Sequence, residues 1–235
     1  MDISLSVVVP AYNEEENLPQ ALEDIARALD GLVQDFEIIV VDDGSGDRTR
    51  TIAQEKSRQD PRFTCISNDR NRGYGYSYQR GLKAARKEYT GVFQGDNELY
   101  WGSFRDLVKN IGQADIISQY ASNPHDREWF RSLLSKSFTA LMNGLFGMNL
   151  KYFNGCFICR RDILQALTIR SQGLTALAEC KVKLIRQGHS YLEIPFVHMP
   201  RSKGRSTALS LKSIKATIEA VALLYKDVRL TRSVG

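Results

Sequence analysis

Apolar runs too continuous to alternate, set between stretches at helical spacing, limit what this chain can fold into. Residues 5–9 read as a fully buried strand, and Leu18, Leu22, Ile25 and Leu29 follow on one helical stripe, with Pro19 tolerated in a first turn. Residues 38–41 form the next strand and a helix opens near Thr49. Phe63–Ser67 is a short third strand, residues 74–86 a third helix and residues 89–94 a fourth strand. Strands that do not alternate must be buried on both faces. Strand and helix repeating with short connections predict an α/β fold with a mostly parallel central sheet flanked by helices. The 235 residues are ample for one such domain, expected over 1–207, with a short basic helix and tail at 208–235.

In parallel α/β sheets ligands sit beyond the carboxyl ends of the strands, and the unusual residues of this chain are there. The first strand runs into PAYNE, the second into DDGS, and the fourth into QGDNE, which places Asp96 and Glu98 where that strand must end. Asp and Asn cap helices, and Gly makes turns, in any α/β protein. Three strand ends that bring acids and amides to one edge fit a site for a ribose, a base or a metal ion. No G-x-x-x-x-G-K-[ST] loop is present. The Gly73-Tyr74-Gly75 stretch lacks the third glycine of the dinucleotide fingerprint and does not follow the first strand. Phosphates are then best met by a carboxylate-held divalent ion, Mg2+ or Mn2+, whose shell is completed by waters and diphosphate oxygens.

The net charge of +5 is unevenly spread. Lys181, Lys183, Arg186, Arg201, Lys203, Arg205, Lys212, Lys215, Lys226, Arg229 and Arg232 crowd the last third, whereas Glu14, Glu15, Glu16, Asp42, Asp43 and Asp47 lie in the first fifth. An anionic partner near the C-terminal part follows from this. Nucleic acid is not expected, because zinc-finger spacing, an aromatic RNA-binding signature and a basic helix-turn-helix are all missing. No apolar run reaches the ~18 residues of a membrane span, and the N-terminus has no cleavage site, so a cytoplasmic chain is expected. Cys65, Cys156, Cys159 and Cys180 make no pair of pairs and are expected to be buried free thiols; a three-residue offset in a strand-like run points Cys156 and Cys159 to opposite faces.

The segments VVVPAYNEEENL, IIVVDDGSGDRT, NRGYGYSYQRGLKAA, GDNE, NGCFICRR and EIPFVHMPRSKGRS occur in the order seen in family 2 glycosyltransferases of the GT-A (Rossmann-like) fold. Over residues 4–207 the chain resembles the polyprenol-phosphate branch of that family, typified by dolichol-phosphate mannose synthase. The resemblance implies an inverting, metal-dependent transferase acting on a nucleotide-diphosphate sugar. Pro10, Tyr12, Glu14 and Asp42 would then hold the base and ribose. The family's D-x-D-x-Q motif falls on Gln94, Asp96 and Glu98, so Asp96 stands for the principal metal ligand, Glu98 replaces the glutamine and Gln94 replaces the first aspartate. In a register shifted by two, Asp96 and Glu98 are themselves the metal-binding pair.

For the acceptor half, the resemblance places Arg201 and Arg205 on phosphates, with Thr207 where a lysine is common. Glu179, opening a helix at 179–186, would lie near the acceptor and be the leading general base for a hydroxyl. His198 is either near the diphosphate or structural, Asn154 and Gly155 approach the acceptor, and Lys151 has no assigned part. A polyprenyl phosphate is the first expectation for the acceptor. A glycan hydroxyl in polysaccharide or glycolipid assembly, or a weakly active nucleotide-sugar-binding homologue, is the alternative. A basic amphipathic helix is expected at 209–225, with Leu211, Ile214, Ile218, Val221, Ala222 and Tyr225 on one stripe. It would pack on the domain, on a second copy in a homo-oligomer, or peripherally on the cytoplasmic face of a membrane.

Overall fold

The computed structural model describes residues 3–122, 129–199 and 211–232. Its elements run β1 (Ser4–Ala11), α1 (Leu18–Leu29), β2 (Asp35–Asp42), α2 (Thr49–Gln59), β3 (Phe63–Ser67), α3 (Tyr74–Ala84), β4 (Tyr89–Val92) and α4 (Trp101–Lys109). They continue with β5 (Ile116–Ala121), α5 (Trp129–Phe146), β6 (Phe157–Arg160), α6 (Arg161–Gln165), α7 (Ala176–Arg186), β7 (Tyr191–Phe196) and α8 (Leu211–Arg232). All seven strands join one sheet in the order β3-β2-β1-β4-β6-β5-β7.

β1 and β2 are buried at seven of their eight positions, as strands covered on both faces must be. They pair in parallel from Ser4 with Asp35 to Ala11 with Asp42. β6 alone runs against its neighbours, antiparallel to both β4 and β5. The carboxyl ends of β1, β2, β4, β5 and β7, and the entrance to β6, therefore share one edge. Strand order reverses between β1 and β4, β2 and β3 lying to one side and β4 to the other, and a crevice opens at such a switch point. The loop after β4 is pressed onto the end of β1 there. A Cβ on Gly95 would stand 3.1 Å from the Pro10 carbonyl oxygen and 3.2 Å from the Ala11 Cβ.

Several boundaries differ from those read in the sequence. β4 stops at Val92 because β6 supports it only as far as Gly91, although the Phe93 N–H still reaches Val8 O at 3.0 Å. α3 ends at Ala84 rather than 86, since the buried Glu37 carboxylate of β2 takes the Arg86 N–H at 2.7 Å. α7 begins at Ala176, so Glu179 sits inside its first turn and does not open it. α8 begins at Leu211 and extends to Arg232.

Val221 and Leu224 of α8 pack on Met142, Phe146, Leu150, Phe153, Ala178 and Val182, a small core beside the main one. Ile214 and Ile218, on the same apolar stripe, are exposed, Ile218 by 64%. The helix overruns what lies beneath it among the described residues. Cys156, Cys159 and Cys180 are buried free thiols as expected, but Cys65 is only partly covered. Burial pushes the Cys156 thiol up to about 12, which disfavours its thiolate.

Candidate active site

The loops after β1 and β2 are stitched together by side chains. Asn13, in the left-handed region at φ 54°, donates its N–H to Ser45 Oγ at 3.0 Å and accepts the Gly46 N–H at 2.9 Å. Glu15 N–H reaches Asp47 Oδ2 at 3.1 Å, and Arg48 N–H reaches Glu15 Oε2 at 2.9 Å. Two of the acids expected at the donor are spent on this framework. Glu14 is buried, accepting from Asn17 Nδ2 at 2.7 Å as α1 begins. Asp42, fully buried, accepts the Ser45 N–H at 3.1 Å and Arg50 Nε at 2.9 Å. Asp43 holds the start of α3 through the Arg72 N–H at 2.9 Å and the Gly73 N–H at 2.8 Å. Pro10 is buried in the sheet, while Tyr12 stands 41% exposed at the edge, an open aromatic face.

Across the crevice, Gln94 and Asp96 are half-buried. Asn97 follows at φ 54°, and its Oδ1 is buried with no hydrogen-bond partner among the described residues. This left-handed step separates the orientations of its neighbours. Asp96 lies at the edge, whereas Glu98 turns inward, is buried, and meets His198 Nε2 at 3.0 Å through Oε2. The backbone repeats the link, with the Met199 N–H on Glu98 O at 2.8 Å and a bridge between Leu99 and His198. His198 thus fastens the exit of β7 to the loop carrying Asp96. Arg201 and Arg205 lie outside the described residues.

Glu179 is 1% exposed. Its carboxylate accepts the Arg170 N–H at 2.9 Å, the Ser171 N–H at 2.8 Å and Lys183 Nζ at 2.6 Å. Burial works to raise its pKa, but the hydrogen bonds from Lys183, Arg170 and Ser171 together hold it below the usual carboxylate value. The geometry gives this carboxylate a bracing part within the segment before α7. At the entrance to β6, Gly155 lies so close to β5 that a Cβ would stand 2.1 Å from Gln119 O. The Asn154 Oδ1 beside it is buried with no partner among the described residues.

A cavity of about 330 Å³ opens at the end of β5, lined by Ser132, Ser135, Lys136 and Thr139 of α5 together with Lys151 and Tyr152. Among the described residues two lysines and no carboxylate face it, and Lys151 Nζ also lies 4.2 Å over the Tyr120 ring. The readings from sequence pass over the α5 residues. The signal was there, since Ser132, Ser135, Lys136 and Thr139 recur at the three-to-four spacing of one helical face. Such a lining suits an anion.

A family model, Glycosyl transferase family 2, matches residues 6–168. The dolichol-phosphate mannosyltransferase of Pyrococcus furiosus is 30% identical over 214 residues, covering 87% of this chain and 59% of that protein. The undecaprenyl-phosphate 4-deoxy-4-formamido-L-arabinose transferase of Proteus mirabilis is 28% identical over 98% of this chain and 71% of its own length. The chain thus spans roughly three-fifths to seven-tenths of these relatives. Among solved structures, glucosyl-3-phosphoglycerate synthase from Mycobacterium tuberculosis, in complex with Mn2+, uridine diphosphate and glucosyl-3-phosphoglycerate, superposes with a TM-score of 0.71. It is 19% identical over 93% of this chain and 80% of that one, a likeness of fold. The order of motifs along the chain, the switch point they surround and the family match over more than half the sequence agree: this chain belongs to glycosyl transferase family 2.

Proposed function

We propose that this protein transfers a sugar, with inversion, from a nucleoside-diphosphate sugar to a polyprenyl phosphate. The observation that carries the reading is the placement at one sheet edge of Asp96, at the β1/β4 switch point, and of the cavity at the end of β5 that Lys136 and Lys151 line. The names of the relatives, which specify dolichol and undecaprenyl phosphates, support the acceptor class.

The donor diphosphate is set in the crevice, with Tyr12 at its rim. The residues present fit a divalent ion there. Asp96 offers a carboxylate, the buried Asn97 Oδ1 lacks a partner among the described residues, and Glu98 stands next in the same loop. No three His, Cys, Asp or Glu residues converge among the described residues, so an ion there would have to draw most of its shell from substrate oxygens and water. Asp96 would hold Mg2+ or Mn2+, Glu98 joining it only if its carboxylate turned from His198, and the ion when bound would neutralise charge developing on the departing diphosphate. Gln94 contributes an amide where a second carboxylate would raise the affinity.

On the acceptor side, Lys136 and Lys151 receive the phosphate of the lipid, with Arg201 and Arg205 of the basic segment as further phosphate partners. A phosphate oxygen is already an anion and attacks without a general base. A glycan hydroxyl would need one, and Glu179, the residue expected to serve, is committed to two backbone amides and Lys183. That commitment favours the phosphate acceptor. No helix among the described residues is long and apolar enough to cross a membrane. The exposed Ile214 and Ile218, with the exposed Lys215, suit peripheral contact at the cytoplasmic face.

The test is to incubate the purified chain with Mn2+, a panel of nucleotide sugars and undecaprenyl or dolichyl phosphate in detergent. Sugar transfer to the lipid phosphate is expected for at least one donor. Transfer to a free glycan hydroxyl and to neither lipid would replace this reading with the hydroxyl-directed one.

A further inference from the structure

α8 follows the catalytic fold in sequence, yet an unbroken set of contacts joins it to the donor loops. Asp227 of α8 accepts from Arg170 Nε at 2.9 Å and lies 3.5 Å from Lys183 Nζ. Lys183 also donates to Glu179 Oε1 at 2.6 Å and to Thr168 O at 2.7 Å. Glu179 in turn grips the Arg170 and Ser171 amides. Segment 168–172 is therefore fixed by charged groups, and one of them stands on α8.

The far end of that segment closes on α3. Gln172 O accepts the Gly75 N–H at 2.7 Å and the Tyr76 N–H at 3.3 Å, and Gln79 Nε2 reaches Ser171 O at 3.2 Å. Asp43 holds the other side of the same turn. There is no slack between the two: a Cβ on Gly73 would meet Gln172 O at 2.5 Å, and one on Gly75 would meet Ser171 O at 2.4 Å. Interiors this tight transmit displacement instead of absorbing it. Tyr74, within the clamped turn, buries its hydroxyl with no partner among the described residues. Asp43 of the loop after β2, through the Arg72 and Gly73 amides, ties the same turn to the donor edge.

We propose that Asp227 is a positioning residue for the donor site: α8, when seated, fixes segment 168–172 through Arg170 and Lys183 and thereby sets the first turn of α3 against the loop after β2 that carries Asp43. The inference rests on the donor-site reading given above. It makes nucleotide affinity depend on a helix outside the donor loops, one whose described packing on the fold runs through Val221, Leu224, Tyr225 and Val228.

The experiment measures binding of uridine and guanosine diphosphates, each with Mn2+, by calorimetry, alongside amide hydrogen exchange. Asp227→Asn and Arg170→Gln should each weaken the nucleotide that the parent binds by about three- to tenfold, the usual size of such indirect coupling, and Asp227→Glu should restore it. Exchange should quicken over 170–177 and 74–77 and stay unchanged in β1 and β2. Arg170 is largely exposed, so its variant keeps the fold even if an α8 variant does not. Equal affinity in both variants, or faster exchange with unchanged affinity, overturns the positioning role while leaving the donor site standing. A parent chain that binds neither nucleotide overturns the donor-site reading, and this inference with it.

Discussion

Glu98 Oε2 lies 3.0 Å from His198 Nε2, and both side chains are buried. One residue lies in the loop after β4 and the other just beyond β7, a hundred positions later. The pair gives Glu98 work to do whether or not an ion is bound. Glu98→Ala should therefore cost about 1–3 kcal/mol of stability in metal-free buffer, the price of stranding a buried partner. Urea unfolding with chelator present checks it; an unchanged midpoint would show that the contact carries no stability.

Asp96→Asn should remove Mn2+-dependent binding of a nucleoside diphosphate while leaving the melting temperature within a degree or so, because Asp96 lies at the crevice edge and not in the core. Calorimetry reads the first quantity and a thermal scan the second. Retained affinity would move the metal elsewhere.

Gln94→Asp should tighten Mn2+ by on the order of 1 kcal/mol if the added carboxylate reaches the ion through screened space. A metal titration followed by electron paramagnetic resonance would show it. No gain would favour the shifted register, in which Asp96 and Glu98 make the pair.

Lys136→Glu and Lys151→Glu should each raise the KM for a polyprenyl phosphate by about tenfold, the worth of one charge-assisted contact, and leave the donor KM alone. Steady-state kinetics with each substrate varied in turn separates the two. A rise in donor KM instead would put the lysines on the diphosphate.

Lys181 is fully buried, donating to Gly155 O at 2.9 Å. Burial lowers its pKa from 10.5 to about 8. Between those values the unfolded chain holds the extra proton, so this residue's contribution to stability improves as pH rises through that window, by up to about 3 kcal/mol. Below it the penalty is full. The stability advantage of Lys181→Met over the parent should thus shrink between about pH 7 and about pH 10, measured by urea unfolding at each pH. An advantage that grows would reverse the sign of the argument.

The first half of the fold was legible because doubly buried parallel strands print themselves as unbroken apolar runs; β3 falls at Phe63–Ser67 as read. β6 has four residues and reversed neighbours, and nothing in FICR announces its direction. The α8 stripe was visible, but how much of it meets a partner depends on where α5 and α7 end. The acids were visible too, and their orientation was not. Asp42, Glu98 and Glu179 look from the sequence like groups offered to a ligand. In the fold their oxygens meet Ser45 and Arg50, His198, and the Arg170 and Ser171 amides, because a loop leaving a strand must satisfy its own N–H groups before it can serve anything else. The left-handed Asn97, which parts Asp96 from Glu98, has no signature beyond being an asparagine.

The reversed course of β6 gives this scaffold an address for diversification. In its parallel neighbours the exits face the ligand edge; in β6 the entrance does, bringing Asn154 and Gly155 there, while its exit at Arg160 opens on the far side. Under the proposed reading, insertions around 147–154 would fall at the ligand edge, whereas insertions at 160–161 would fall on the opposite side of the sheet. A library confined to the first stretch would, on that reading, vary the acceptor side and leave the loops after β1 and β2 as they are.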